Sequence, residues 1–306
     1  MDRTHRIIFG VVVIVLALSS SGWCDGEQAD ASLARAVVST HTVQDSRLDE
    51  VSGIVASRRH PGYFWTHNDS GDRPLLYVID VRGANVATFE LDGATNVDWE
   101  DIALGPGPKP KRDYLYVADI GDNAAHRKNV VIYRIEEPDL EFVKPGDHLV
   151  EQEVQKLSYR YADGARDAET LFVDPVDRNM VIITKRSPEV HVYQTSIDGD
   201  WSADRELERL RRIPFTNIVG GDLSSDGTEL LLKTYTHVLY WRRESGNSIE
   251  QLFDVTPQEL PYRLEPQGEA IAWSHDATRY ITLSEERGGI AAVLYRYPMD
   301  DGLRGN

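Results

Sequence analysis

Trp99-Glu100-Asp101-Ile102 opens the stretch from which the fold is read. A turn at Gly105 to Pro110 follows, then apolar Tyr114-Leu115-Tyr116-Val117, a polar loop, and a second apolar segment from Val130 to Ile135. The opening motif recurs as Val51-Ser52-Gly53-Ile54, Ala168-Glu169-Thr170-Leu171, Gly220-Gly221-Asp222-Leu223 and Gly268-Glu269-Ala270-Ile271. Each copy is followed by a turn and two more apolar segments. Repeats of roughly fifty residues are the scale of modular folds built from one small unit.

The segments are short, rich in β-branched and aromatic residues, and bounded by turn formers such as Asp174-Pro175 and Ser225-Asp226-Gly227. They therefore read as strands. Asp204 to Arg212 is the one helical candidate, and it reads equally well as a charged outer strand. Fourth strands fit at Val86 to Leu91, Leu157 to Tyr161, Leu207 to Ile213 and Ile249 to Val255. Four strands per unit is the plan of a β-propeller blade. The last unit lacks a fourth strand, while Ala36 to Val43 precedes the first motif unused. The expectation is an all-β, five-bladed propeller closed by that N-terminal strand. Six blades are the alternative, because the long gap between the second and third motifs has room for a degenerate unit; otherwise the gap is an insertion around Glu136 to Glu153, which Pro138, Pro145 and Gly146 mark as loop, and a β-sandwich is the competing architecture.

The chain has 306 residues, 50 acidic and 33 basic side chains, a formal net charge of −17, 41 % apolar residues and one cysteine. That composition supports a folded domain and argues against nucleic-acid binding, since surplus carboxylates repel a polyanion. The apolar run Ile7 to Leu18 is shorter than the roughly 20 residues that span a bilayer. With Arg3 and Arg6 before it and small residues after it, the run reads as a secretory signal over 1–24, with cleavage between 22 and 31. A propeller domain then occupies 32–306, secreted or periplasmic, with no membrane span and acting as a monomer. Trp23 disfavours lipid anchoring through Cys24. Without another thiol, zinc-thiolate and cysteine-nucleophile chemistry are excluded.

In a propeller the starts of first strands and the ends of second strands meet at one mouth of the central channel. Glu100, Asp101, Glu169, Asp222 and Glu269 belong to the first set. His67, Asp69, Asp119, Asp122, Lys185, Arg186, Lys233, Glu285 and Glu286 belong to the second. Carboxylates crowded there repel one another by about 4 kcal/mol per pair at 4 Å. A hard cation relieves this, and calcium suits an all-oxygen set. The expected ligands are Glu100, Asp101, Asp119, Asp122, Glu169, Asp222 and Glu269. Arg127, Lys185, Arg186 and Lys233 are the candidates to bind a small anionic or ester substrate, and Asp69 or His67 to act as base.

The string Asp98-Trp99-Glu100-Asp101-Ile102-Ala103, with Asp119-Ile120-Gly121-Asp122-Asn123 and Arg127 beyond it, resembles exported bacterial propeller proteins related to the "esterase-like activity of phytase" family. The resemblance implies an extracytoplasmic propeller with phosphoester hydrolysis. Two other functions fit the same scaffold. One is a non-catalytic module that binds a carbohydrate, peptide or protein. The other is a lactonase-like enzyme, which would need asparagine ligands from Asn68 and Asn123.

Overall fold

The computed structural model describes residues 39–201 and 203–304. The signal segment, Cys24 and the first residues of the expected N-terminal strand lie outside them. No helix among the described residues is long and apolar enough to cross a membrane.

The architecture is all-β and propeller-like. In the first unit β2 (Val51–Ala56), β3 (Tyr63–Asn68), β4 (Leu75–Asp80) and β5 (Asn85–Leu91) pair antiparallel in order. The second unit contains β6 (Trp99–Pro106), β7 (Asp113–Asp119), β8 (Val130–Glu136) and β10 (Gln155–Tyr161). The third contains β11 (Ala168–Asp174), β12 (Asn179–Thr184), β13 (Val190–Ser196) and β14 (Arg205–Ile213). The fourth contains β15 (Ile218–Leu223), β16 (Glu229–Thr234), β17 (Val238–Arg242) and β18 (Gln258–Leu260). In the last, β19 (Gly268–Trp273), β20 (Arg279–Ser284) and β21 (Val293–Pro298) are joined by β1 (Ser39–Thr42), antiparallel to β21.

The innermost strands touch in cyclic order, β2 to β6, β6 to β11, β11 to β15, β15 to β19 and β19 to β2. They are buried throughout except for partly exposed Pro106 in β6 and Asp222 in β15, whereas outer strands such as β10 and β14 mix buried and exposed positions. Sheets stacked face to face bury both surfaces of their inner strands, so polar alternation survives only at the rim. Among the described residues the apolar clusters sit at the seams. Trp65 and Leu76 pack with Trp99 and Val117, Phe172 and Ile183 with Leu230 and Trp241, and Tyr240 and Leu260 with Trp273 and Tyr280.

Three details differ from expectation. The insertion after β8 is not only loop, because β9 (Asp147–Glu151) runs parallel to β5 and extends the first unit to five strands. The second and third sheets merge into one of eight strands, since the outer strands β10 and β14 pair in parallel. The expected strand Ile249 to Val255 is replaced by a short helix, α1 (Ile249–Leu252), and the fourth strand begins at Gln258. The cause is a capping box: Ser248 Oγ accepts from Gln251 N, while Gln251 Oε1 accepts from Ser248 N. Those reciprocal bonds satisfy amides that a strand would direct sideways.

Candidate functional site

Every innermost hairpin breaks register at the same point. The pairing skips one residue between Val51 and Gly53, Trp99 and Asp101, Ala168 and Thr170, Ile218 and Gly220, and Gly268 and Ala270. The skipped residues are Ser52, Glu100, Glu169, Val219 and Glu269. A β-bulge re-aims the side chain of its extra residue, so the three glutamates share one structural position at one end of the channel. Opposite them, at the ends of second strands, the chain places Asp69, Lys185, Tyr235 and Glu285.

This register corrects the fourth motif. Gly220-Gly221-Asp222-Leu223 is two residues out of step, and Val219 holds the bulge. Asp222 lies deeper, paired across to Leu231, and accepts a hydrogen bond from Trp273 N at 2.8 Å. Burial pushes its carboxyl up to about 7. Asp101 also leaves the mouth: its oxygens accept Ile102 N at 2.8 Å and, from the next unit, Leu171 N at 2.9 Å. Asp101 and Asp222 are thus clamps on the backbone of the inner strands.

Around the mouth, Asp69, Asp98 and Glu100 bring one carboxylate oxygen each within 4.8 Å of one another, and Glu100, Asp167 and Glu169 do the same. Glu100 belongs to both groups. Gly121 permits the convergence, because a Cβ there would collide with Glu100 Oε1 and Asp98 Oδ2. Glu100 and Glu169 are 3 % and 2 % exposed. Burial first, and then the neighbouring carboxylates, hold the Glu100 carboxyl well above its usual range. Burial likewise raises Glu169 against the opposing pull of Lys185. It pushes Asp69 up to about 7 and Glu285 up to about 8. Glu169 Oε2 and Asp167 Oδ2 are buried without a hydrogen bond, although the Arg186 guanidinium stands 3.3 Å from the latter. Orphaned oxygens of this kind are costly and are the sign of a missing donor or ion. An all-carboxylate donor set suits a hard cation such as calcium.

The remaining candidates are placed as follows. Asp119 accepts Arg127 Nη2 at 2.8 Å and Asp98 N at 3.2 Å. Asp122 accepts the amides of His126 and Arg127 at 2.9 and 2.6 Å. Both acids therefore shape the loop after β7, outside the two carboxylate groups. Arg127 also donates to Gly121 O at 2.7 Å, and exposed Arg186 has Nη1 3.3 Å from Asp167 Oδ2. Lys185 is buried, ion-paired with Glu169 Oε1 and 3.6 Å from Glu269 Oε1.

Lys233 and His67 are not at the mouth. Lys233 is fully buried, donates to Gly268 O, lies 3.8 Å from Glu265 and sits 4.6 Å from the Tyr262 ring centre. Burial lowers its amine to about 8. His67 is sealed against Trp99, edge to face at 5.6 Å, and burial lowers it to about 4. It is a neutral core residue, because burial disfavours the charged imidazolium. Asn68 Nδ2 donates to Arg47 O and Asp72 Oδ2, at 2.5 and 2.9 Å, while its Oδ1 is buried without a hydrogen bond.

Three mouth residues were outside the expected set. Asp98 and Asp167 each directly precede an innermost strand, a shared position visible in the repeat. Tyr235, whose hydroxyl donates to Glu269 Oε1 at 2.7 Å, carries no such signal.

No family model matches the chain, and no curated protein matches its sequence, so the resemblance to the phytase-related family has no support at the level of sequence. Solved structures do match. The hydrazine synthase of Kuenenia stuttgartiensis is 13 % identical with a TM-score of 0.43, over 84 % of this chain and 98 % of that one. A luciferin-regenerating enzyme is 11 % identical with a TM-score of 0.47, over 85 % and 95 %.

Proposed function

We propose that the chain is an exported, five-bladed propeller, completed by its N-terminal strand, that binds calcium at the channel mouth and hydrolyses a phosphoric or carboxylic ester there. The cyclic contacts of the inner strands and the pairing of β1 with β21 support the architecture. The arginine-flanked apolar run near the N-terminus is the support for export.

One observation carries the cation reading. Glu169 Oε2 is buried without a partner beside Glu100 and Asp167. Glu100 would be the central ligand, with Asp98 on one side and Asp167 and Glu169 on the other, and Asp69 beside them would stay unligated. Calcium, when bound, supplies Lewis-acid polarisation of an ester oxygen and a more acidic water. The chain's own groups set the rest. Half-buried Asp69, with a carboxyl near neutrality, is suited to hold a proton at the entrance. Arg127 and Arg186 stand at the rim, where an anionic group arriving from solvent would meet them.

The test is thermal unfolding in calcium and in chelator, alongside hydrolysis of p-nitrophenyl phosphate and p-nitrophenyl acetate. At a hundredfold excess over Kd, calcium is expected to stabilise the wild type by about 2.7 kcal/mol. Glu100→Gln is expected to remove both that gain and the hydrolysis. A melting temperature indifferent to calcium would overturn the cation site. Sealing of His67 in the core favours a second reading, a binding module without turnover; calcium stabilisation with no hydrolysis would select it.

A further inference from the structure

Glu100, Glu169 and Glu269 occupy one repeat position, yet positive charge is distributed unequally among them. Glu269 accepts the Tyr235 hydroxyl and has the Lys185 ammonium at 3.6 Å. Glu169 is paired with Lys185 through Oε1 only, and its Oε2 is orphaned. Glu100 has no lysine or arginine paired with it among the described residues; its nearest donor is Ser52 Oγ, 3.4 Å from Oε2. The Lys185 ammonium also lies 5.3 Å from the centre of the Tyr235 ring. It therefore sits where a cation bridging Glu169 and Glu269 would sit, on a stem long and flexible enough to move.

We infer that Lys185 is a tethered counter-cation that competes with a bound divalent ion for Glu169. This rests on the cation reading proposed above and adds the residue that tunes its affinity. A calcium ion on the free oxygen of Glu169 brings a second positive charge to a carboxylate already paired, and the two repel. Lys185 then moves fully to Glu269, where the Tyr235 hydroxyl already donates. In the ion-free state the same lysine offsets part of the repulsion among the buried acids, since an unpaired charge in that position is strongly destabilising. Affinity for the ion is given up in exchange for a mouth that holds together without it.

The experiment is calcium titration of the full chain by calorimetry. Lys185→Met is expected to bind calcium about tenfold more tightly than wild type, because the competitor is gone. Arg186→Gln removes an exposed positive charge that stands 3.3 Å from Asp167 Oδ2 without a hydrogen bond, and is expected to change affinity by about twofold or less, as screened surface charges do. Lys185→Gln carries the same measurement if the methionine variant fails to fold. In reductively ¹³C-methylated wild type, the Lys185 methyl resonance is expected to shift on adding calcium. Equal affinity in wild type and Lys185→Met, equal tightening by Arg186→Gln, or an unmoved resonance overturns the competition alone. No calcium uptake by either wild type or Lys185→Met overturns the cation site on which it rests.

Discussion

Glu100 and Asp101 are consecutive on β6, and burial holds both carboxyls well above the usual carboxylate range. Asp101 spends its oxygens on backbone amides, one in its own strand and one in β11. Glu100, turned outward by the bulge, faces Asp69, Asp98, Asp167 and Glu169 instead. The same contrast separates Asp222, which accepts Trp273 N, from Glu169, with an oxygen that nothing meets. Burial and a raised carboxyl are thus common to the channel interior and its mouth. What distinguishes the mouth is the lack of donors, since a buried polar atom without a partner calls for an ion or ligand while a bonded one is already accounted for.

The largest expected effect is on the interior side. Asp222 is raised to about 7 in the folded protein from an ordinary value near 3.8. A carboxyl raised by folding adds stability that is full below the unfolded value and is lost as pH rises through the folded one. Over that window, from about pH 4 to pH 7, its loss is on the order of 4 kcal/mol. Asp222→Asn is expected to flatten this part of the profile, measured by urea unfolding in saturating calcium so that the mouth acids are neutralised. A profile unchanged by the substitution would mean that the interior acid is not set apart as described.

Next comes Asp101→Ala, which strands the amides of Ile102 and Leu171. A destabilisation of about 3 kcal/mol is expected, the same in calcium and in chelator. If the loss proved calcium-dependent, Asp101 would belong with Glu100 and the boundary between the two regions would move. The smallest effect is expected from Tyr235→Phe, which removes one donor from Glu269 and should cost about 1 kcal/mol. It sharpens the comparison because Glu269 would then depend more heavily on Lys185, so the cost should grow in the Lys185→Met background.

Much of this contrast was legible in the sequence, because Glu100, Glu169 and Glu269 each hold the second place of a motif that ends on an aliphatic residue. The fourth repeat misleads for a physical reason. Asp222-Leu223 imitates the acid-aliphatic pair, but the bulge that decides which side chain faces the mouth falls at Val219, and a bulge has no composition of its own. Deciding between Glu100 and Asp101 required the register as well, since a one-residue slip reverses which face a strand residue takes. Lys233 and His67 looked like mouth residues because they end second strands. Each stands one residue before its strand ends; Gly53, opposite His67, leaves room for the ring, because a Cβ there would lie 2.5 Å from Nε2, and Lys233 reaches across to Gly268 O in the next unit. Ser248 with Gln251 was a readable capping signal that the strong apolar character of Ile249 to Val255 obscured. Tyr235 was beyond reach, because a tyrosine in a loop carries no mark of the carboxylate it will meet.

The pairing of β1 with β21 also has a kinetic consequence. Ser39 meets Arg296, and Thr42 meets Val293, so one ladder ties together residues from near the two ends of the chain. Arg304 adds a second late contact by holding Glu229 at 2.7 Å through two nitrogens. Contacts between residues so distant in sequence must bear the entropy of closing a very large loop before they return anything. β1 therefore has no native partner until β21 has been synthesised, and formation of that ladder is expected to be a late step of folding.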